Sequence, residues 1–119
     1  MGLEDSRGSA PAQPMPASMS EALARLWTKF LPDLQQRVAV LETAAEALGA
    51  GSLTSEQRSA AHAAAHKLAG TLGTFGVHRG TDLARQLDEE FADEVPPSSA
   101  ADLSAWIDEL RSLIDSHPR

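Results

Sequence analysis

Ala61-His62-Ala63-Ala64-Ala65-His66-Lys67-Leu68-Ala69-Gly70-Thr71-Leu72-Gly73-Thr74-Phe75-Gly76 is the stretch on which the reading of this chain turns. At about 100° per residue, with Ala61 as zero, Ala61, Ala64, Ala65, Leu68, Leu72 and Phe75 fall within roughly 60° of one direction. That spacing predicts a helix with a single buried stripe. His66 lies about 140° from this direction, beside Gly70 and Gly73 and with Ala69 between it and the stripe, so its imidazole is expected to face solvent. Each glycine costs a helix about 1 kcal/mol relative to alanine. Two of them beside an exposed histidine fit a surface cleared for a docking partner, with His62, Ala69, Gly70 and Gly73 as its candidate residues.

Outward from this segment the same periodicity continues. Upstream, Leu23, Leu26, Trp27, Phe30, Leu34, Val38, Leu41, Ala45 and Leu48 recur at steps of three and four, and Gly49 and Gly51 close the run. Pro32 interrupts it. Proline lacks the amide donor and crowds the preceding turn, so this region is expected to be kinked, or split into a short and a longer helix near Leu31. The histidine helix itself opens on Thr54 and Gln57, a capping-box pair, and is expected to end between Thr74 and Gly76. A third helix, from Arg79 or Gly80 to Phe91, lines up Leu83, Leu87 and Phe91; its other face is Arg85, Gln86, Asp88 and Glu89. After Pro96 and Pro97, Ser98 or Ser99 can cap a fourth helix with Leu103, Trp106, Ile107, Leu110, Leu113 and Ile114 on its stripe. No alternating strand pattern and no internal repeat occur. The fold class is all-α, an antiparallel four-helix bundle over residues 19–116, preceded by a Pro/Gly/Ser-rich stretch at 1–18 that reads as a disordered tail or linker.

Composition limits the functions available. With 119 residues the chain forms one domain with a modest core. The absence of cysteine removes disulfides, thiol nucleophiles and thiolate metal sites. A formal charge of -7 argues against nucleic-acid binding by phosphate neutralisation. No apolar run is long enough to span a bilayer and the N-terminus lacks a signal-peptide pattern, so the expected location is cytoplasmic, without a membrane role. Charge is unevenly spread: Arg58, Lys67, Arg79 and Arg85 face the single acid Asp82 between Gln57 and Leu87. The histidine segment is a basic zone suited to an acidic or phosphorylated partner.

The spacing His66-Lys67-Leu68-Ala69-Gly70-Thr71, followed by Gly76, resembles the signature of histidine-containing phosphotransfer (HPt) domains, and the position of the histidine on the second long helix of a bundle is similar too. The resemblance implies that His66 is a phosphoryl acceptor, that Thr71 and Lys67 lie in the phosphate's vicinity, and that the partner is a response-regulator receiver domain or a hybrid sensor histidine kinase. It further implies a relay intermediate without kinase or ATPase activity of its own, expected to be a monomer, with no cofactor of its own and with Mg²⁺ supplied by the receiver. One departure stands out: the third position after the histidine, often lysine in the family, is Ala69. Lys67 is the nearest alternative cation, about 100° from His66 on the wheel.

The chemistry can be stated independently. Imidazole, with a reference pKa of about 6.5, is largely neutral at cytoplasmic pH and keeps a lone pair on one ring nitrogen. Phosphoryl transfer needs in-line approach and stabilised equatorial oxygens, and nothing in the chain resembles a glycine-rich nucleotide loop. The other half of such a site has to come from a partner. A binding-only adaptor that docks receivers without carrying phosphate is the alternative. A zinc site is a weaker one: His62 and His66 are four apart and His78 is a conceivable third ligand, but Ala63 replaces the glutamate of the His-Glu-x-x-His pattern, and no metal is expected. The acidic run Asp88, Glu89, Glu90, Asp93 and Glu94 reads as a solvated helix end. Trp27, Trp106, Phe30, Phe75 and Phe91 read as core, with Leu26, Phe30 and Leu31 as candidates for partial exposure; His78 and His117 read as loop or terminal residues.

Overall fold

A computed structural model describes residues 17–118. It contains four long helices, α1 (Ala17–Gly49), α2 (Ser55–Thr74), α3 (His78–Ala92) and α4 (Ala100–Ser116), with a short 3-10 turn at Pro97–Ser99 ahead of α4. No strand occurs among the described residues. The helices form a square in which α2 packs on α3, α3 on α4, α4 on α1 and α1 on α2. Cross-helix pairs fix the antiparallel register of α1 and α4: Gln35 Nε2 donates to Asp115 Oδ1 at 3.2 Å, and Arg111 makes a two-pronged bond to Glu42 at 2.7 and 2.8 Å. The expected all-α antiparallel bundle is the observed one.

On α1 the buried set is Trp27, Leu31, Leu34, Val38, Leu41, Ala45 and Leu48, with Ala44 beside it. Those seven recur at strict steps of four and three, the spacing of a bundle seam. The seam therefore runs through Leu31, which is buried, and leaves Leu26 and Phe30 more than two-fifths exposed. Phe30 is thus not a core residue; it lies at the rim, tilted edge-on to Phe75 with centroids 6.1 Å apart. Pro32 does not split the region, because α1 is continuous across it. Its ring is exposed, and the Thr28 carbonyl that loses an amide partner lies on the hydrated side, where water can replace the bond. The helix also begins at Ala17, two residues ahead of the boundary expected at 19; the rest of the expected tail, residues 1–16, lies outside the described residues.

Both halves of the capping box form at the start of α2: Gln57 N–H donates to Thr54 Oγ1 at 3.1 Å, and Thr54 N–H to Gln57 Oε1 at 2.9 Å. At its end Gly76 takes φ +73. Gly76 N–H then donates to Gly73 O and Val77 N–H to Leu72 O, at 3.2 and 3.0 Å, a left-handed cap that satisfies two terminal carbonyls. The chain turns there directly into α3, so His78 is the first residue of that helix and not a loop residue. Gly80 explains the tightness of the corner: a Cβ on it would stand 3.1 Å from both Leu72 Cδ1 and Val77 Cγ1. At the opposite end Arg58 Nη1 donates to the carbonyls of Phe91 and Ala92, each at 3.0 Å, closing the C-terminus of α3. The expected serine cap of α4 is absent, since Ser99 occupies the position without a side-chain bond; the 3-10 turn, in which Ser99 N–H donates to Pro96 O at 2.9 Å, leads into the helix instead.

Trp27 is fully buried and packs edge-on to Phe75 at 5.2 Å, with the His117 ring 4.1 Å away. His117 is thus a packing residue. Trp106 and Leu113 lie only at the margin of the core, whereas Leu103, Ile107, Leu110 and Ile114 are buried.

Candidate functional site at the α2–α3 groove

The stripe Ala61, Ala64, Ala65, Leu68 and Leu72 is buried as the wheel predicts, and this fixes the rotation of α2. His66 consequently stands at the groove between α2 and α3 with its side chain 78% exposed. It is not free to turn at random. Nδ1 of His66 lies 3.1 Å from Asp88 Oδ2. An ionised carboxylate only accepts, so Nδ1 carries the proton and Nε2, on the far side of the ring, keeps its lone pair. A nucleophilic nitrogen is thereby presented to solvent in a defined tautomer.

Asp88 serves two histidines. His62 Nδ1 is 3.1 Å from the Asp88 carbonyl, to which it donates, and 2.7 Å from Asp88 Oδ1. The second contact is close but not in hydrogen-bonding alignment, so Oδ1 is buried without a directed donor. Only 21% of the Asp88 side chain is exposed, and the residue is therefore not part of a solvated helix end. Its role escaped the sequence because α3 periodicity places it next to the buried stripe without saying which neighbour it meets. The usable signal was its flank: on the wheel Asp88 is about 20° from Thr81 and about 60° from the core position Phe91.

The other candidate residues divide between the two flanks of α2. Ala69 is partly buried against the core. A Cβ on Gly70 would meet nothing within 4 Å, and one on Gly73 would meet only Thr81 Oγ1 at 3.8 Å. Together these three leave the groove floor low beside His66. Lys67, about 100° from His66, and Thr71, about 140° from it, fall on the flank away from Asp88; Lys67 is exposed and Thr71 half-buried. His78 begins α3 ten residues before Asp88, about 15 Å along the helix, and does not meet His62 and His66. Among the described residues no three His, Asp or Glu side chains converge as a metal-binding group, and no helix is long and apolar enough to cross a membrane.

The structure thus places an Nδ1-anchored, solvent-facing histidine on the second helix of a four-helix bundle. The chain belongs to the Hpt domain family, whose profile matches residues 25–116; the family's function is histidine phosphotransfer in phosphorelays. It is also similar to Protein RcaC of Microchaete diplosiphon, with 38% identity over 66 residues, 56% of this chain and 10% of that protein. The chain thus spans about a tenth of the length of that relative. No solved structure matches it significantly.

Proposed function

We propose that the chain is a phosphorelay intermediate in which His66 Nε2 accepts a phosphoryl group from the aspartyl phosphate of a response-regulator receiver domain and returns it to such an aspartate, a hybrid sensor kinase being one source of the first receiver. The observation that carries this reading is the His66 Nδ1 to Asp88 Oδ2 contact with the rest of the ring in the open. As the Nε2–P bond forms, the P–O bond to the receiver's aspartate breaks and that aspartate leaves as a carboxylate. The Nδ1 proton stays on the ring. Asp88 balances the positive charge that the ring gains, which favours acceptance; in reverse, the retained Nδ1 proton lets the ring leave as neutral imidazole. Neutralisation of the phosphoryl oxygens by Mg²⁺ belongs to the receiver's half of the site, and the low floor at Gly70 and Gly73 admits that half closely.

Mixing the protein with radiolabelled phosphorylated receivers tests this directly. Wild type is expected to acquire an acid-labile, alkali-stable label, and His66→Gln none. Asp88→Asn, which keeps the shape but loses the charge, is expected to slow uptake about tenfold, the size of one charge-assisted hydrogen bond. A wild-type protein that takes no label from any receiver of its own organism overturns the proposal.

A further inference from the structure

A phosphoryl group on His66 would bring about -1.5 to -2 charges to a position already next to the Asp88 carboxylate. Some cation has to face it. Lys67 lies on the other flank of α2, which leaves the facing helix as the source.

On α3, with Gly80 as zero, Asp88 sits at about 80°, Thr81 at about 100° and Arg85 at about 140°. The first two face α2: Asp88 contacts His62 and His66, and Thr81 Oγ1 would stand 3.8 Å from a Cβ placed on Gly73. Arg85 lies between them along the axis, about 4.5 Å from Asp88, and slightly further toward solvent. Because the helices are antiparallel, its level on α2 is that of Ala69 and Gly70. There the groove is empty of side chains beyond a methyl group, and a Cβ at Gly70 would meet nothing. Four other arginines are tied down: Arg37 to Asp33, Arg58 to the α3 carbonyls, Arg79 to Glu109 and Arg111 to Glu42. Arg85 is exposed and has no hydrogen-bond or ion-pair partner among the described residues.

We infer that Arg85 is the phosphoryl-binding cation of this site, reaching across the groove over Ala69 and Gly70 to the oxygens of the phosphoryl group on His66. The inference rests on the phosphotransfer reading above. Guanidinium geometry suits it, since its fork can hold two phosphoryl oxygens at once and its long stem bridges the step along the groove. Glu89 and Asp82, one turn away on the same helix, lie further round toward solvent and leave the groove side of Arg85 open.

The test uses phosphoramidate as a small phosphoryl donor, so that receiver docking plays no part. Wild type, Arg85→Ala, Arg85→Lys, Arg85→Glu and Lys67→Ala are compared by label uptake, by ³¹P resonance of the phosphohistidine as a function of pH, and by the Arg85 Nε–H resonance before and after phosphorylation. The expected result is an Arg85 Nε–H shift on phosphorylation and a phosphoryl group that protonates at higher pH in Arg85→Ala than in wild type. Uptake should fall about tenfold in Arg85→Ala and further in Arg85→Glu, with partial recovery in Arg85→Lys and no change in Lys67→Ala. Circular dichroism of the variants should match wild type because the side chain is exposed. Normal labelling of His66 with an unshifted Arg85 resonance and an unchanged ³¹P titration in Arg85→Ala overturns this inference alone. No label on wild-type His66 from phosphoramidate or from receivers overturns the phosphotransfer reading with it.

Discussion

The α1–α4 face and the α2–α3 face of this bundle use charge in opposite ways. Across α1 and α4, Arg111 and Glu42 satisfy each other through two short bonds, and Gln35 and Asp115 meet one turn further along. There the paired groups are spent on each other. Across α2 and α3, one carboxylate is divided between two histidines, and the ring that receives the longer contact is the more exposed of the two. The first face is closed upon itself, whereas the second holds one nitrogen in place by its inner side and leaves its outer side without a partner. A four-helix bundle can thus separate the bonds that hold it together from the bonds it withholds for chemistry.

The comparison breaks most visibly if a core residue of the closed face is truncated. Leu41→Ala, at a fully buried seam position, is expected to lower the unfolding free energy by about 2–5 kcal/mol, measured by urea denaturation, while transfer per folded molecule stays at the wild-type rate. A loss of specific activity in that variant would show that the two faces are coupled. Gly70→Leu should act the other way. With open space above the glycine and a better helix former in its place, the protein should gain about 0.5–1 kcal/mol, yet transfer from a receiver should fall because the added side chain fills the docking surface. Equal transfer rates would mean that receivers do not approach over Gly70. The smallest effect concerns Arg79 and Glu109, joined at 2.7 and 2.9 Å between α3 and α4. The hydrogen bonds from Arg79 hold the Glu109 carboxyl below its ordinary value. The pair's contribution is therefore present above the unfolded glutamate pKa and disappears as the pH falls through the lowered folded one. Glu109→Gln should flatten the acid limb of a stability-against-pH curve slightly and leave transfer at neutral pH unchanged.

What could be read from the sequence follows from the range of the interactions involved. Helix identity, the buried face of α2 and the exposure of His66 depend on periodicity and local capping, and Thr54 with Gln57 behaved as their spacing requires. The α1 seam was harder because Phe30 and Leu31 compete for one position, and only the strict alternation from Trp27 to Leu48 selects Leu31. Asp88 and Arg58 depend on the register between α2 and α3. That register is set by small residues at the corner, Gly76 and Gly80, and by packing along the whole groove, so residues 22 apart in the chain, His66 and Asp88, become neighbours for reasons that no local pattern encodes. Pro32 shows a local rule outweighed: the cost of one missing bond is small beside a seam of buried side chains running on both sides of it.

The openness of the His66 ring has a consequence in time. A phosphoryl group held there would stand in the open, and the carboxylate that touches the ring, Asp88, is engaged with the two imidazoles and is not free to activate a water against it. Loss to hydrolysis would then proceed at the slow intrinsic pace of the nitrogen–phosphorus bond, and departure to a receiver at the pace of encounter. Between encounters the domain would act as a reservoir, with the lifetime of the stored signal set by how often an acceptor arrives.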